Sequence, residues 1–170
     1  EAYMNTGVQR SSATPAAART ATTPAAGTSP GNVFGQGKSV PLIAMAHGIP
    51  YVATASVADL RDLEYKVERA MTFHGARYLH VHVPCPLGWG TDTGDTLKVA
   101  RMAIESGLFP IFEAEYGDVT GRRTIRRLVK VDEYLKLQRR FAHLFGPSPD
   151  THRIAMIQSI DGEGRVRLSL

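Results

Sequence analysis

From residue 41 onward, apolar side chains recur at spacings that alternate between those of a helix and those of a strand. Pro41–His47 is predicted to form a short helix, because proline favours the first helical turn and Gly48 follows its end. Tyr51–Thr54 predicts a buried strand, and residues 57–74 predict a helix with Ser56 as its N-cap. The face of this helix that we expect to be buried comprises Leu60, Leu63, Val67, Ala70 and Met71.

The alternation continues along the middle of the chain. Tyr78–Val83 predicts a second strand, Asp95–Ser106 an amphipathic helix, and Phe109–Tyr116 a third strand. Strands that alternate with helices are typical of parallel βαβ units. We therefore predict an α/β fold with a mostly parallel sheet flanked by helices.

The pattern is less regular after the third strand. Gly117–Gly121 predicts a turn, and the basic segment Arg122–Lys130 predicts an edge strand protected by its charges. A helix capped by Asp132 is predicted to run to Phe145. One more helix is expected over Thr151–Ile160, followed by irregular residues.

Composition narrows the class of protein. The 170 residues are 43% apolar and 21% charged, which is typical of a single globular domain or part of one. No apolar run approaches the roughly 18 residues of a membrane span, so no membrane contact is predicted. The single cysteine excludes an internal disulfide and favours a cytoplasmic location. The net charge of +4 is compatible with anionic ligands, but no aromatic residues interleave with the basic segment, so nucleic acid is not expected.

Residues 8–40 are rich in Ala, Thr, Ser, Pro and Gly. A loop of this length in a compact domain is usually functional. Its end, with Lys38 and Ser39, approaches a phosphate-binding P-loop, but Asn32 stands where the first glycine is required. A nucleotide hydrolase is therefore excluded.

Cys85 lies between two prolines, two residues beyond the end of a predicted strand. From the residues alone, an inert buried thiol is favoured over a metal ligand at this position. His80 and His82 should share one strand face, and with Cys85 they permit a small zinc or copper site for which His47 is the obvious fourth ligand. Hydrogen-bonded core histidines are the alternative.

The first residues carry turn chemistry. Asn5, Thr6 and Gly7 favour a sharp bend that follows the apolar residues Tyr3 and Met4. Such a bend at the carboxyl edge of a sheet is where α/β proteins hold ligands. With no initiator Met and no signal peptide, the stretch is expected to be the second half of a cofactor-binding turn whose first half precedes residue 1.

Two motifs together, Glu1–Pro15 and Val83–Trp89, resemble the β subunits of pyruvate:ferredoxin oxidoreductase and its 2-oxoacid relatives. A third, weaker similarity lies in Tyr134–Phe141, and the resemblance covers about residues 1–145. It implies a truncated thiamine-diphosphate-binding fold. It also implies an oxidoreductase subunit that takes part in the conversion of pyruvate to acetyl-CoA, with electrons passed through [4Fe-4S] clusters to ferredoxin.

The resemblance also implies site residues. Asn5 would be catalytic, near the thiamine and the substrate; the backbone carbonyl of Ala2 would bind Mg²⁺; and Cys85 would be the fourth ligand of a [4Fe-4S] cluster. The expected cofactor-binding residues are Ala2, Tyr3, Asn5, Thr6 and Gly7. The other Mg²⁺ ligands and three cysteines would precede residue 1, so the isolated chain is expected to be inactive and to hold no cluster.

Residues 1–146 would form the C-terminal part of the cofactor-binding domain, with 8–40 as a loop near the cofactor and a neighbouring subunit. Residues 147–170 would be a tail. The implied partners are α-, γ- and δ-type subunits, ferredoxin, coenzyme A and a 2-oxo acid. Two alternatives stay open: a non-catalytic module that binds an anion or a partner through its basic segment, and a small metal-binding domain built on His80, His82 and Cys85.

Overall fold

The computed structural model describes residues 2–3, 7–11, 14–27, 29–33 and 38–157. The described residues fall into two compact units. The first, here called the loop unit, comprises Glu1–Lys38, Cys85–Thr96 and Val129–Gln158. The second, the sheet unit, comprises Ser39–Pro84 and Leu97–Leu128. The predicted domain boundary at residue 146 stays a prediction.

Fourteen strands and helices, together with two 3-10 helices at Thr93–Asp95 and Arg139–Phe145, are assigned within the described residues. In chain order they are β1 (Ala2–Tyr3), β2 (Gln9–Arg10), β3 (Ala25–Ala26), β4 (Ser29–Pro30), α1 (Val40–Ala46), β5 (Tyr51–Ser56), α2 (Leu60–Met71), β6 (Arg77–His82), α3 (Pro86–Trp89), α4 (Thr96–Glu105), β7 (Phe112–Glu115), β8 (Asp118–Arg122), α5 (Val131–Lys136) and α6 (Thr151–Ile157). None of these helices combines the length and the apolar character that crossing a bilayer requires.

The sheet unit is built on a four-stranded mixed sheet with the order β6–β5–β7–β8. The β5–α2–β6 segment is a parallel unit, as predicted, with Tyr51 opposite Arg77. The prediction of a mostly parallel sheet is wrong, because β7 runs antiparallel to β5 and β8 antiparallel to β7. The Thr54 hydroxyl stabilises this direction: it donates to the carbonyl of Pro110 at 2.7 Å and accepts from the amide of Phe112 at 2.9 Å.

The two faces of the sheet have different coverings. On one face Val52 and Ala114 pack with Ala44 of α1. On the other, Tyr51 packs with Ala70 of α2. All six residues of β5 are buried, because helices cover both faces of this central strand.

A polar pair is enclosed on the α2 face. The Tyr51 hydroxyl donates to the carboxylate of Glu113 at 2.7 Å. Burial raises the pKa of Tyr51 well above its usual range, and the hydrogen bond and charge of Glu113 raise it further. Arg69 donates to Glu115 at 2.6 Å on the same strand.

Helix α2 begins later than predicted and buries a different face. Ser56 remains in β5, and Asp59 is the N-cap, accepting from the amide of Asp62 at 3.2 Å. The sheet-facing side carries Lys66 and Ala70. Three apolar residues of the predicted face are instead exposed, by 66% at Leu60, 47% at Val67 and 68% at Met71. A small residue and a lysine pack against the sheet because the long lysine stem fills the space and its ammonium finds oxygen partners.

Two predictions beyond residue 116 also need correction. The turn is confined to Tyr116 and Gly117, and β8 occupies Asp118–Arg122, so the edge strand includes only the first residue of the basic segment. The segment 123–130 forms no strand, although Arg123 still donates its amide to Ile111 at 2.9 Å.

The predicted helix from Asp132 to Phe145 is interrupted. Helix α5 ends at Lys136, Gln138 is extended with φ −123° and ψ 115°, and a 3-10 helix follows. The side-chain amide of Gln138 donates to the carbonyl of Tyr134 at 3.0 Å, which satisfies a helix-terminal acceptor and ends the helix there. The predicted helix at Thr151 is confirmed as far as Ile157, and its last three positions lie outside the described residues.

Candidate functional site

The predicted bend at the N-terminus lies between two short paired strands. Ala2 is opposite Arg10 and Tyr3 opposite Gln9 in an antiparallel register, so the chain reverses direction between them. Gly7 has φ +98°, a backbone conformation that glycine adopts without strain. Asn5 and Thr6, and the side chains of Ala2 and Tyr3, lie outside the described residues. Their predicted roles therefore stay predictions.

The segment that follows is held together by polar side chains. Asn32 is only 3% exposed, and its amide donates to the carbonyls of Thr14 at 2.8 Å and Pro15 at 3.2 Å. Its side-chain oxygen accepts from Arg10 Nε at 3.0 Å. Where apolar side chains are few, these hydrogen bonds give the segment its internal order.

Five of the polar side chains in this segment are buried: Ser11, Thr14, Thr20, Thr23 and Asn32. The hydroxyl oxygens of Thr20 and Thr23 lie 2.7 Å apart. The amide of Arg10 donates to the hydroxyl of Thr22 at 2.9 Å. The Thr- and Ser-rich composition is therefore explained by a buried hydrogen-bond network, which composition alone did not predict.

Cys85 lies at the start of a tight loop, here called the Cys85 loop (Cys85–Thr91). The cysteine is a free thiol of intermediate burial in extended backbone, at the N-cap position of α3. Its carbonyl accepts from the amide of Trp89 at 2.9 Å, and its side chain makes no capping hydrogen bond. Gly90 ends the loop at φ +65°. The thiol is thus fixed by backbone geometry without being used in the turn itself.

The far end of the Cys85 loop rests on a buried arginine. Trp89 is 3% exposed, and the guanidinium carbon of Arg140 lies 3.9 Å from the centroid of its ring. Arg140 Nε donates to the side-chain oxygen of Gln138 at 2.9 Å. The amide of Arg139 donates to the carbonyl of Gly90 at 3.4 Å. The Tyr134–Phe141 motif therefore supports the Cys85 motif, a contact that sequence reasoning missed although it singled out both stretches.

The N-terminal segment reaches the same support. The carbonyl of Arg140 accepts from the amide of Arg19 at 2.8 Å, and Asn32 pairs through its backbone with Ala17 and Ala18 just before it. Hydrogen bonds thus lead from β2 through Asn32 to the backbone of Arg140, and the guanidinium of Arg140 stacks on Trp89. The described residues of the first motif and the Cys85–Trp89 part of the second motif, which were predicted to share a centre, lie in the same compact unit.

The alternative metal site is not supported. His80 and His82 share one face of β6, as predicted, and both rings approach Phe109, with centroids at 5.8 and 4.7 Å. His80 Nδ1 lies 2.9 Å from the hydroxyl of Tyr78. Within the described residues, which include Cys85 and His47, no three His, Cys, Asp or Glu side chains are grouped as metal ligands. The geometry fits packed, hydrogen-bonded histidines.

Curated proteins with similar sequences test the predicted resemblance to 2-oxoacid:ferredoxin oxidoreductases. The chain is 48% identical over 160 residues to the pyruvate synthase subunit PorB of Methanosarcina barkeri, which covers 94% of the chain. It is 46% identical to the subunit of the same name from Methanothermobacter marburgensis, over 85% of the chain. The predicted resemblance to the β subunits of 2-oxoacid:ferredoxin oxidoreductases is confirmed. A ketoisovalerate oxidoreductase subunit VorB, from Pyrococcus abyssi, is 40% identical over 85% of the chain.

The matched region is a part of each relative. The chain spans about half the length of the curated relatives it matches, 54% of the Methanosarcina barkeri protein and 50% of the Methanothermobacter marburgensis protein. No protein-family model matches the chain. The relatives are named as subunits, which implies a complex of several subunits.

Proposed function

We propose that this chain is part of the β subunit of a pyruvate-type 2-oxoacid:ferredoxin oxidoreductase. The complex would oxidatively decarboxylate pyruvate to acetyl-CoA and pass the electrons through [4Fe-4S] clusters to ferredoxin. The observation that carries this proposal is the 48% identity to a pyruvate synthase subunit over 94% of the chain. The arrangement of the loop unit supports it, because the Cys85 loop and the N-terminal segment both contact Arg140, the first by ring stacking and the second by a hydrogen bond.

The Cys85 thiol fits the role of a cluster ligand. It is free, half-buried and held at the entrance of a turn whose backbone hydrogen bonds leave the sulfur unused. Soft thiolates are the donors that iron–sulfur clusters require, and such clusters carry single electrons. The described residues supply one thiolate, so the remaining three ligands would come from other cysteines of the full-length subunit. In this chain, Cys85 would bind one iron atom of the cluster.

The N-terminal hairpin would contribute to the thiamine diphosphate and Mg²⁺ site. The backbone carbonyl of Ala2 is proposed as a Mg²⁺ ligand, and Tyr3, Asn5, Thr6 and Gly7 as residues around the cofactor, with Asn5 near the reacting substrate. Pairing of β1 with β2 supports this, because it anchors both ends of the bend. When bound, thiamine diphosphate accepts the electron pair released on decarboxylation.

The partners and the location follow from the same proposal. The chain would assemble with α-, γ- and δ-type subunits, transfer electrons to ferredoxin, use coenzyme A and act in the cytoplasm. Pyruvate is the proposed substrate because relatives with 46–48% identity carry that name, whereas the VorB relative is 40% identical. Branched-chain and aryl 2-oxo acids are the alternatives that an assay must include.

The test uses the full-length subunit that contains this chain, co-expressed with its partner subunits. Reduction of an electron-accepting dye is measured with pyruvate and with other 2-oxo acids, each with and without coenzyme A. We expect activity that requires coenzyme A and is highest with pyruvate. No activity with any 2-oxo acid would contradict the proposed function, and a preference for a branched-chain acid would change only the substrate.

A substitution in the Cys85 loop tests the proposed ligand. Cys85→Ser should abolish dye reduction and remove the iron of one cluster, measured as iron per assembled complex. Leu87→Ala is the matched control, because Leu87 is 83% exposed in the same loop and carries no ligand atom. If Cys85→Ser retains full iron content and activity, the cluster assignment is wrong.

A further inference from the structure

A cleft in the sheet unit is lined by four arginines and has a volume of about 590 Å³. Arg101 projects from α4, whereas Arg123, Arg126 and Arg127 belong to the segment that follows β8. This group is here called the arginine cleft. It contains three of the five basic residues that the sequence assigned to an edge strand, and the proposed oxidoreductase chemistry does not use it.

The two carboxylates in the cleft offset half of the charge of the four arginines and leave a net charge of +2. Two acidic residues, Asp59 and Glu105, also line it. Asp59 is engaged by Arg123 at 2.8 Å and by the amide of Asp62. For Arg101, Arg126 and Arg127, all exposed, the structure shows no hydrogen bond or ion pair within the part of the chain that it describes.

The lining selects a class of ligand. Guanidinium groups bind the oxygens of a phosphate in a bidentate manner, and several of them together suit a group with more than one negative charge. The apolar side chains of Ile104 and Ile125 lie beside them and offer contact to an uncharged part of a ligand. A volume of this size lies in the range of small-molecule sites, which are concave, whereas protein partners dock on larger surfaces.

We propose that the arginine cleft binds a small organic phosphate, with Arg101, Arg126 and Arg127 contacting the phosphate oxygens. The ion pair with Asp59 keeps Arg123 at one side of the cleft. Ile104 and Ile125 contact the organic part of the ligand. This proposal goes beyond the oxidoreductase activity and does not depend on it.

The experiment titrates the full-length polypeptide with pyrophosphate, ADP and adenosine by isothermal calorimetry. Pyrophosphate and ADP are expected to bind, and adenosine, which has no phosphate, is not. The double variant R126Q/R127Q should weaken ADP binding at this site by at least about tenfold, because the charge-assisted hydrogen bonds of two guanidinium groups to the phosphate are lost. R126Q/R127Q should not affect phosphate sites elsewhere in the polypeptide. The difference in ADP affinity between this variant and the unsubstituted protein therefore reports on the cleft.

The matched control is R61Q/R77Q, which removes the same charge from two exposed positions outside the cleft. It should leave ADP binding unchanged. Thermal unfolding of both double variants checks that the fold is intact, and R101Q provides a second, independent disruption on a helix. The proposal is overturned if R126Q/R127Q and R101Q bind ADP as the unsubstituted protein does, or if the control loses affinity equally. The proposal is also overturned if ADP binds and pyrophosphate does not.

Discussion

The guanidinium of Arg140 stacks on the indole of Trp89, with its carbon 3.9 Å from the ring centroid. Trp89 ends α3, and Arg140 belongs to a 3-10 helix more than 50 residues later in the chain. Both side chains are buried, so each depends on the other for its surroundings. This contact joins the Cys85 loop to the segment that also receives the amide of Arg19.

The stack should contribute measurably to stability. Arg140→Met keeps a long side chain but removes the charge and the hydrogen bond to Gln138, and we expect a loss of about 1–3 kcal/mol. Arg139→Met is the control, because Arg139 is exposed, and should change stability by less than about 0.5 kcal/mol. Urea denaturation measures both. Equal effects of the two substitutions would show that the stack does not stabilise the fold.

Gly90 should tolerate no side chain. A Cβ at this position, with φ +65°, would lie 2.6 Å from Cβ of Arg139. Gly48 has nearly the same φ, +69°, but no atom within 4 Å of a Cβ. Gly48→Ala should therefore cost only the backbone term of about 1–2 kcal/mol. Gly90→Ala should cost about 1–3 kcal/mol more because of the steric contact. The difference between the two free energies of unfolding is the measurement, and a difference of zero would contradict the geometry.

Two Asp–Lys pairs with the same spacing differ in burial and should differ in strength. Asp62 and Lys66 lie 2.7 Å apart, and the lysine side chain is 3% exposed; Asp132 and Lys136 lie 2.8 Å apart, and that lysine is 56% exposed. Asp62→Asn should cost about 3 kcal/mol, because it leaves the charge of a buried ammonium uncompensated, with neutral acceptors such as the carbonyl of Thr54 as its partners. Asp132→Asn should cost about 0.5 kcal/mol.

A second substitution separates the charge effect from packing at the buried pair. Lys66→Met in the Asp62→Asn background removes the uncompensated ammonium and keeps the length of the side chain. Stability should therefore recover in part, as measured by urea denaturation. If Asp62→Asn and Asp132→Asn cost the same, burial does not determine the strength of the Lys66 pair.

Asp59 should make the protein sensitive to acid. The amide of Asp62 and the guanidinium of Arg123 hold the pKa of the Asp59 carboxyl below its usual range. The folded pKa is therefore below the unfolded value of about 3.9, so the stabilisation is present above that pH and is lost as the pH falls through the folded pKa. Asp59→Asn keeps a good N-cap and should flatten the stability profile below about pH 4.

Arg123→Gln should flatten the same profile only in part. The amide of Asp62, the largest cause of the lowered pKa, remains in this variant. Urea denaturation at pH 7 and at pH 3 measures the loss of stability in acid. An unchanged loss in Asp59→Asn would show that Asp59 does not contribute to the acid sensitivity.

For the central strand β5, the local sequence pattern predicted burial, but for β7 it did not predict the direction of the strand. Tyr51–Thr54 predicted a buried strand from its run of apolar residues, and helices cover both faces of β5. The direction of β7 did not follow in the same way, because alternating side chains look the same when a strand is read in either direction. The direction of a strand is decided by long-range pairing. Here the hydroxyl of Thr54 accepts from the amide of Phe112, the first residue of β7.

Helix α2 shows a second limit. Leu60, Val67 and Met71 have the spacing of a buried face, yet they are exposed in this chain, and Lys66 is buried instead. Periodicity shows that a helix has an apolar side, but the sheet that it packs against selects the buried side. Asp59 and Ser56 are equally good N-cap residues by type, and the structure selects Asp59, whose carboxylate accepts from the amide of Asp62.

The sequence by itself determined the helices and strands of the β5–α2–β6 unit, the stiff turn that carries Cys85 and the resemblance to the oxidoreductase β subunits. These follow from local spacing, proline and glycine chemistry and short motifs, which need no knowledge of distant residues. Only the tertiary structure decided the mixed sheet, the burial of Arg140 beneath Trp89 and the gathering of four arginines around one cleft. Each of these joins residues that are far apart in the chain, and their contact depends on how the elements pack.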